Sequence, residues 1–209
     1  MTNKKSEYTT KQVIEGLREK LRMEKDEVNP LILPKSSTVK VKRLSKDAII
    51  PTKAHESDSG FDLYASEDVI VEPGDTVKVP LGIAIEPPKG YEMQIRPRSG
   101  ISSKTKLRVQ FGTVDTSYRG EVKVTVDNIN SPSGVAFESE FVPESFVITN
   151  VTGEDTLIDE QKDVNTYIIR KGERIAQGVI QQVRKFVMEE ATQLDETERG
   201  EGGFGSSGV

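Results

Sequence analysis

The chain has no cysteine and no tryptophan, a single histidine (His55), and only 6% aromatic residues among 209. Without cysteine there is no disulfide framework, no thiolate nucleophile and no cysteine-ligated zinc. With one imidazole, a serine-histidine triad could be built only around His55, and any metal must be held by oxygen ligands. No stretch approaches eighteen consecutive apolar residues, and the first residues lack the apolar run of a signal peptide. Both absences predict a cytoplasmic protein with no membrane partner. An excess of base is also missing, since the net charge is −5, a sign that argues against direct binding to a nucleic-acid backbone.

That charge is unevenly spread. Residues 1–50 carry 12 Lys and Arg against 7 Asp and Glu, whereas residues 127–166 hold 9 acids and one base, Lys162. The length suits one domain with appendages. Residues 9–28 read as an amphipathic helix, with Val13, Ile14, Leu17 and Leu21 on one face and Thr9 and Gln12 as a capping box. Asn29 and Pro30 end it, and a linker reaches residue 38.

From Val39 the apolar period changes to two. Strands are predicted at Val39–Leu44, Thr76–Ile85, Tyr91–Arg96, Leu107–Phe111, Glu121–Val126 and Arg174–Val187, separated by turn signals such as Glu72-Pro73-Gly74-Asp75 and Arg170-Lys171-Gly172-Glu173. This is the rhythm of an all-β sandwich, jelly roll or barrel. Residues 127–166 interrupt it as an acidic insertion, with enough apolar and β-forming residues (Phe137, Phe141, Phe146, Val147, Ile148) to predict a hairpin.

Five polar clusters punctuate these strands. His55 to Asp62 places Asp58 and Asp62 around a glycine turn. Arg96-Pro97-Arg98-Ser99-Gly100 sets guanidinium groups beside a hydroxyl, a chemistry suited to gripping phosphate. In Gly112 to Gly120, Asp115 stands just before a turn bearing Tyr118. In Arg174-Ile175-Ala176-Gln177, alternation predicts Arg174 and Ala176 on one face, with Gln177 seeking a partner on the other. The last cluster, Arg199 to Val209, is a glycine-serine stretch that suits a flexible terminus as well as a lid. Arg199 and Phe204 give it a cation and a ring that a linker does not need. Together these groups suit a Mg²⁺-bound nucleoside triphosphate, with arginines neutralising phosphate, a ring for stacking and an aspartate to activate water.

In this order, PRSGISSK, GTVDTSYRG, GERIAQ and RGEGGFGSSG, preceded by the Asp58 to Asp62 turn, resemble the five motifs of the trimeric dUTPase family (deoxyuridine triphosphate nucleotidohydrolases). The long insertion resembles the bacteriophage type. The resemblance implies a jelly-roll subunit in a homotrimer, with active sites assembled between subunits, and hydrolysis of dUTP to dUMP and pyrophosphate. Its β domain would span 39–198 with the insertion at 127–166, between a helical extension at 1–38 and a lid at 199–209.

By matching position, Asp115 would be the general base and Tyr118 the ring under the deoxyribose that excludes a 2′-hydroxyl. Arg98, Ser99 and Gln177 would contact phosphate, as would Arg199, Gly205, Ser206 and Ser207 of the lid, whose Phe204 would cover uracil; Gly100, beside Ser99, would bind substrate. Asp62 would hold Mg²⁺ through water and Asp58 would support it. The family's uracil-reading asparagine is missing from Val109-Gln110-Phe111-Gly112, which leaves base reading to backbone groups. Two other readings are a regulatory module that binds a repressor-like protein through the insertion, and a dCTP deaminase-like enzyme.

Overall fold

Val122, Val124 and Val126 turn inward, while Lys123, Thr125 and Asp127 between them face out. This two-residue alternation is what a strand with one buried face requires. The same logic repeats along the chain. A computed structural model describes residues 38–132 and 146–203. The helix expected at 9–28 and the tail residues Phe204, Gly205, Ser206 and Ser207 lie outside them.

The strands are β1 (Lys40–Arg43), β2 (Phe61–Tyr64), β3 (Val69–Val71), β4 (Thr76–Pro80), β5 (Ile83–Glu86), β6 (Tyr91–Arg96), β7 (Leu107–Val109), β8 (Gly112–Val114), β9 (Lys123–Asn128), β10 (Phe146–Asn150), β11 (Asp155–Ile158), β12 (Tyr167–Ile169) and β13 (Arg174–Gln182). The helix α1 (Ser99–Lys104) completes the set. They form sheets of order β2-β13-β6-β8, β11-β10-β12-β3, β4-β9-β7 and β1-β5. Leu63, Val71, Val79, Leu107, Val124 and Ile175 fill the core between them. The all-β expectation holds.

Three expected runs end differently. Thr76–Ile85 is two strands, because Gly82 takes a positive φ of 63°, and a Cβ there would lie 2.8 Å from the Ser45 hydroxyl. The chain uses this turn to leave β9, the partner of β4, and pair β5 with β1 instead. The run at Leu107 stops at Val109, leaving Phe111 exposed, and β13 stops at Gln182 rather than Val187. Beyond Gln182 the arm has no strand partner among the described residues, and Phe186, Val187, Met188 and Leu194 are all at least 79% exposed.

Of the expected hairpin, Phe137 and Phe141 lie outside the described residues; the described part is β10–β11, paired antiparallel from Phe146↔Ile158 to Thr149↔Asp155. β10 also lies parallel to β12, which joins the hairpin to β3. Three asparagines close the base of the excursion. The Asn128 amide, 1% exposed, donates to the carbonyls of Val71 and Asn165 at 3.0 and 2.8 Å. Asn130 donates to Asn165 O at 3.3 Å, and Asn165 donates to Ser131 O at 3.0 Å.

Candidate active site

Three neighbouring strands set the first constellation. Across β2, β13 and β6, Asp62 lies opposite Gln177, which in turn lies opposite Arg96. The Asp62 carboxylate is buried and meets Arg98 Nη1 through Oδ1. Its Oδ2 accepts from Arg174 Nη1 at 3.3 Å. Burial lowers the proton affinity of the Arg98 guanidinium below its ordinary value, and the charge of Arg174 pushes the same way. Arginine starts so high that it stays charged, and Asp62 supplies the opposing charge.

Arg174 reaches Asp62 because the strand is irregular there. The alternation expected for Arg174 and Ala176 breaks at a register shift, so Ile175 and Ala176 are both buried while Arg174 stays half-exposed. The motif that carries Arg174 gives it no role from residue types alone, because a bulge has no signature there.

Arg98 is also the N-cap residue of α1, in extended conformation. The helix was not expected, since Ser99, Gly100, Ser102 and Ser103 are weak helix formers. Ile101, its one buried side chain, anchors it, and Ser99 and Gly100 at its start are exposed. No side chain caps its first turn among the described residues, which leaves the leading N–H groups to a ligand or water. Asp58 closes the turn before β2: its Oδ2 accepts from His55 N at 2.8 Å, and its own N–H donates to His55 O at 3.0 Å. Among the described residues the arginines pair with Asp62 and not with Asp58.

Asp115 and Tyr118 stand elsewhere. β8 carries the chain to a tight turn in which Tyr118 N donates to Asp115 O at 3.1 Å, while the Thr116 hydroxyl donates to Tyr91 O. Tyr118 OH donates to Glu121 O at 3.0 Å. Asp115 is exposed, and both side chains line a cleft of about 580 Å³ with Gly112, Thr113, Lys78 and Thr125. A larger groove of about 840 Å³ runs past Leu44, Asp68 and Lys171, but it touches none of the sequence-selected residues, and its acids Asp47 and Asp68 are paired with Lys171 and Arg170.

The two constellations lie toward opposite ends of β6. Val114 faces Met93, whereas Gln177 faces Arg96, three residues or about 10 Å further along the strand. From those points the chain carries Asp115 and Arg98 in opposite directions. Arg199 sits in a third place, an exposed turn where its Nε donates to Gly202 O at 2.7 Å. One chain thus brings Asp62, Arg98, Arg174 and Gln177 together and keeps Asp115 with Tyr118 apart from them.

The dUTPase family model matches residues 46–133 and 146–208. The chain is 41% identical to a deoxyuridine 5'-triphosphate nucleotidohydrolase of Hydrogenobaculum sp. (strain Y04AAS1), over 81% of this chain and 96% of that protein. Among solved structures it resembles the dUTPase of Staphylococcus bacteriophage 80alpha with dUpNHpp, at 32% identity and a TM-score of 0.74, covering 83% of this chain and all of that one. The 80alpha enzyme is described as controlling transfer of virulence genes. The dUTPase of phage phi11 of S. aureus, a mutant of which is described with a structural Mg(II) ion, matches at 28% identity and a TM-score of 0.68 over 75% of this chain and 97% of that one. The ordered motifs, the all-β jelly-roll fold and these matches agree: the chain belongs to the dUTPase family.

Proposed function

We infer that the hydrolysis of dUTP to dUMP and pyrophosphate, the activity of this family, is carried out here by Asp115 as general base, with Arg98, Ser99 and Gln177 holding the phosphates and Gly100 beside them. The observation that carries this reading is the Asp62 carboxylate set between two guanidinium groups beside Gln177. Such a pair presents fixed positive charge where an anionic triphosphate needs it.

The separation of Asp115 from Arg98 supports a site assembled from more than one copy, and the uncovered apolar arm after Gln182 supports an exchange of arms between copies. A homotrimer satisfies both. Arg199, with Phe204, Gly205, Ser206 and Ser207, would then close over a neighbour's nucleotide and exclude water.

The Asp115 carboxylate is exposed, and no donor among the described residues occupies its oxygens, which suits a base that must reach a water. Attack at the α-phosphorus moves charge onto phosphate oxygens, and the arginines absorb it. Tyr118, held by Glu121, presents a ring face to the deoxyribose, where a 2′-hydroxyl would find no room.

Among the described residues no group of three or more His, Asp or Glu could hold a metal by itself, and both Asp62 oxygens already face cations. These residues fit a Mg²⁺ that would arrive on the triphosphate, with Asp62 as the residue that would hold it through water. Magnesium would neutralise phosphate charge and favour departure of pyrophosphate. No described helix is long and apolar enough to cross a membrane; the proposed place of action, the cytoplasm, follows from a nucleotide substrate found there.

Incubation with dUTP and with dCTP, followed by separation of products, tests the reading. We expect dUMP and pyrophosphate from dUTP alone; ammonia released from dCTP would overturn it.

One observation favours a second role for the acidic segment. Val147 and Leu157 are cross-strand partners on β10 and β11, exposed at 44% and 67%, with Glu154, Asp155 and Asp159 exposed around them. This face suits a basic protein partner with apolar anchors, such as a repressor. A Val147→Glu/Leu157→Glu variant should keep dUTP turnover and lose relief of repression in a reporter strain; unchanged relief would remove the face from that role.

A further inference from the structure

The turn between β10 and β11 ends against the helix that begins with Ser99. Gly153, at its tip, has a φ of +84°, and a Cβ added there would lie 3.3 Å from Lys104 O, the last residue of α1, and 3.5 Å from Lys104 Cβ. A second contact comes from the same sheet. Lys106 N, just past the helix, donates to the buried Tyr167 hydroxyl of β12 at 3.0 Å.

Neither side of this junction has slack. On the hairpin, Asn150 Oδ1 accepts from Thr152 N, Thr152 Oγ1 and Glu154 N at 2.9, 2.7 and 2.9 Å. Glu154 is drawn toward charge by its bonds from Thr152 and Asn150, with Lys104 nearby adding to the pull. On the helix, Thr105 Oγ1 donates to Ile101 O at 2.8 Å, and Arg108 Nη1 donates to Thr105 O and Leu107 O at 3.1 and 2.8 Å. A six-residue helix is only about 9 Å long, so a shift at Lys104 is delivered to Ser99 and Arg98 with little to damp it.

We propose that the β10–β11 turn and Tyr167 form a strut for α1, making Gly153 and Tyr167 positioning residues for the phosphate grip of Arg98 and Ser99. The inference rests on the reading of those two residues as phosphate contacts. The acidic segment then acts on the nucleotide site from within the same chain, at the far end of the helix from the ligand.

Substitution of Gly153 by alanine presses a methyl group on Lys104 O, and Gly74 provides its control. Gly74 has nearly the same φ, +83°, with nothing within 4 Å of an added Cβ, so Gly74→Ala brings equal backbone strain without the contact. In the intact enzyme we expect Gly153→Ala to raise KM for dUTP about fivefold with kcat within about twofold, and to speed amide exchange at Thr105, whose N–H bonds to Ile101 O. Gly74→Ala should move neither. Tyr167→Phe, which removes the acceptor for Lys106, should act in the same direction and decides the matter if Gly153→Ala does not fold.

Equal effects of Gly153→Ala and Gly74→Ala, or unchanged exchange at Thr105 in both Gly153→Ala and Tyr167→Phe, would overturn the strut. Failure of the underlying reading looks different. Ser99→Ala and Arg98→Ala would then leave KM unmoved, while exchange at Thr105 would still report whether the hairpin holds the helix.

Discussion

Gly120 lies directly beneath the ring of Tyr118: a methyl group added at residue 120 would stand 2.6 Å from the phenol Cζ. The ring therefore folds back over its own turn, and its hydroxyl reaches Glu121 O because residue 120 has no side chain. Gly120→Ala should swing the ring out while leaving the strands in place. If Tyr118 excludes the 2′-hydroxyl, the ratio of kcat/KM for dUTP over UTP should fall by roughly 10- to 100-fold, the range for one lost steric contact. Steady-state assays on both nucleotides check it, and an unchanged ratio would take Tyr118 out of sugar selection.

Asp115→Asn tests the base. The exposed side chain is replaced by one of the same shape, so nucleotide binding should persist while kcat drops by about 10²–10⁴, the usual worth of a general base. Calorimetric titration with a non-hydrolysable dUTP analogue, beside a turnover assay, separates the two effects. Substantial residual hydrolysis would remove Asp115 from the role.

A pH effect belongs to the turn before β13. Asp68 accepts from the backbone N–H of Lys171 at 2.7 Å and from Arg170 Nη1 at 2.7 Å, and these bonds, the backbone one first, hold its carboxyl below the usual 3.8. A depressed carboxylate stabilises the fold above its unfolded pKa, and that contribution disappears as pH falls through the folded value. Melting curves of the parent and Asp68→Asn should therefore lie apart above pH 4 and converge in stronger acid. Curves that stay parallel down to pH 2 would contradict the assignment.

Mixing two inactive variants tests assembly. Asp115→Asn supplies an intact arginine cluster and Arg98→Ala an intact Asp115 turn. If each site draws these groups from different copies, random co-assembly leaves about a quarter of sites complete, one half times one half. Co-refolded mixtures should regain about that share of parental activity, whereas separately refolded samples mixed without exchange should not. No recovery would place both clusters of a working site on a single chain.

Much of the local structure was written in residue types. Tyr91–Arg96 is a strand where alternation places one, and the Asp115 turn lies where Ser117-Tyr118-Arg119-Gly120 signals it, since both depend on neighbours in sequence. The acidic stretch forms the hairpin its Val147 and Ile148 suggested. What escaped were features set at long range. Helix α1 depends on burying Ile101 against the rest of the fold, despite its serines and glycine. The approach of Arg174 to Asp62 needs a bulge that alternation cannot foresee, and past Gln182 the arm keeps the Val183 N–H bond to Gly90 O but joins no further strand among the described residues.

The knot of Asn128, Asn130 and Asn165 fastens the chain's departure and its return at one point. The twelve residues that the family model passes over, 134–145, fall wholly inside that loop. Lengthening a closed loop is cheap, about 0.6 kcal/mol for each doubling, and the register of β9 is set by β4 and β7 rather than by the loop. The fastening makes the segment a pendant on the hydrolytic frame, able to change length at little cost to the strands that carry the site.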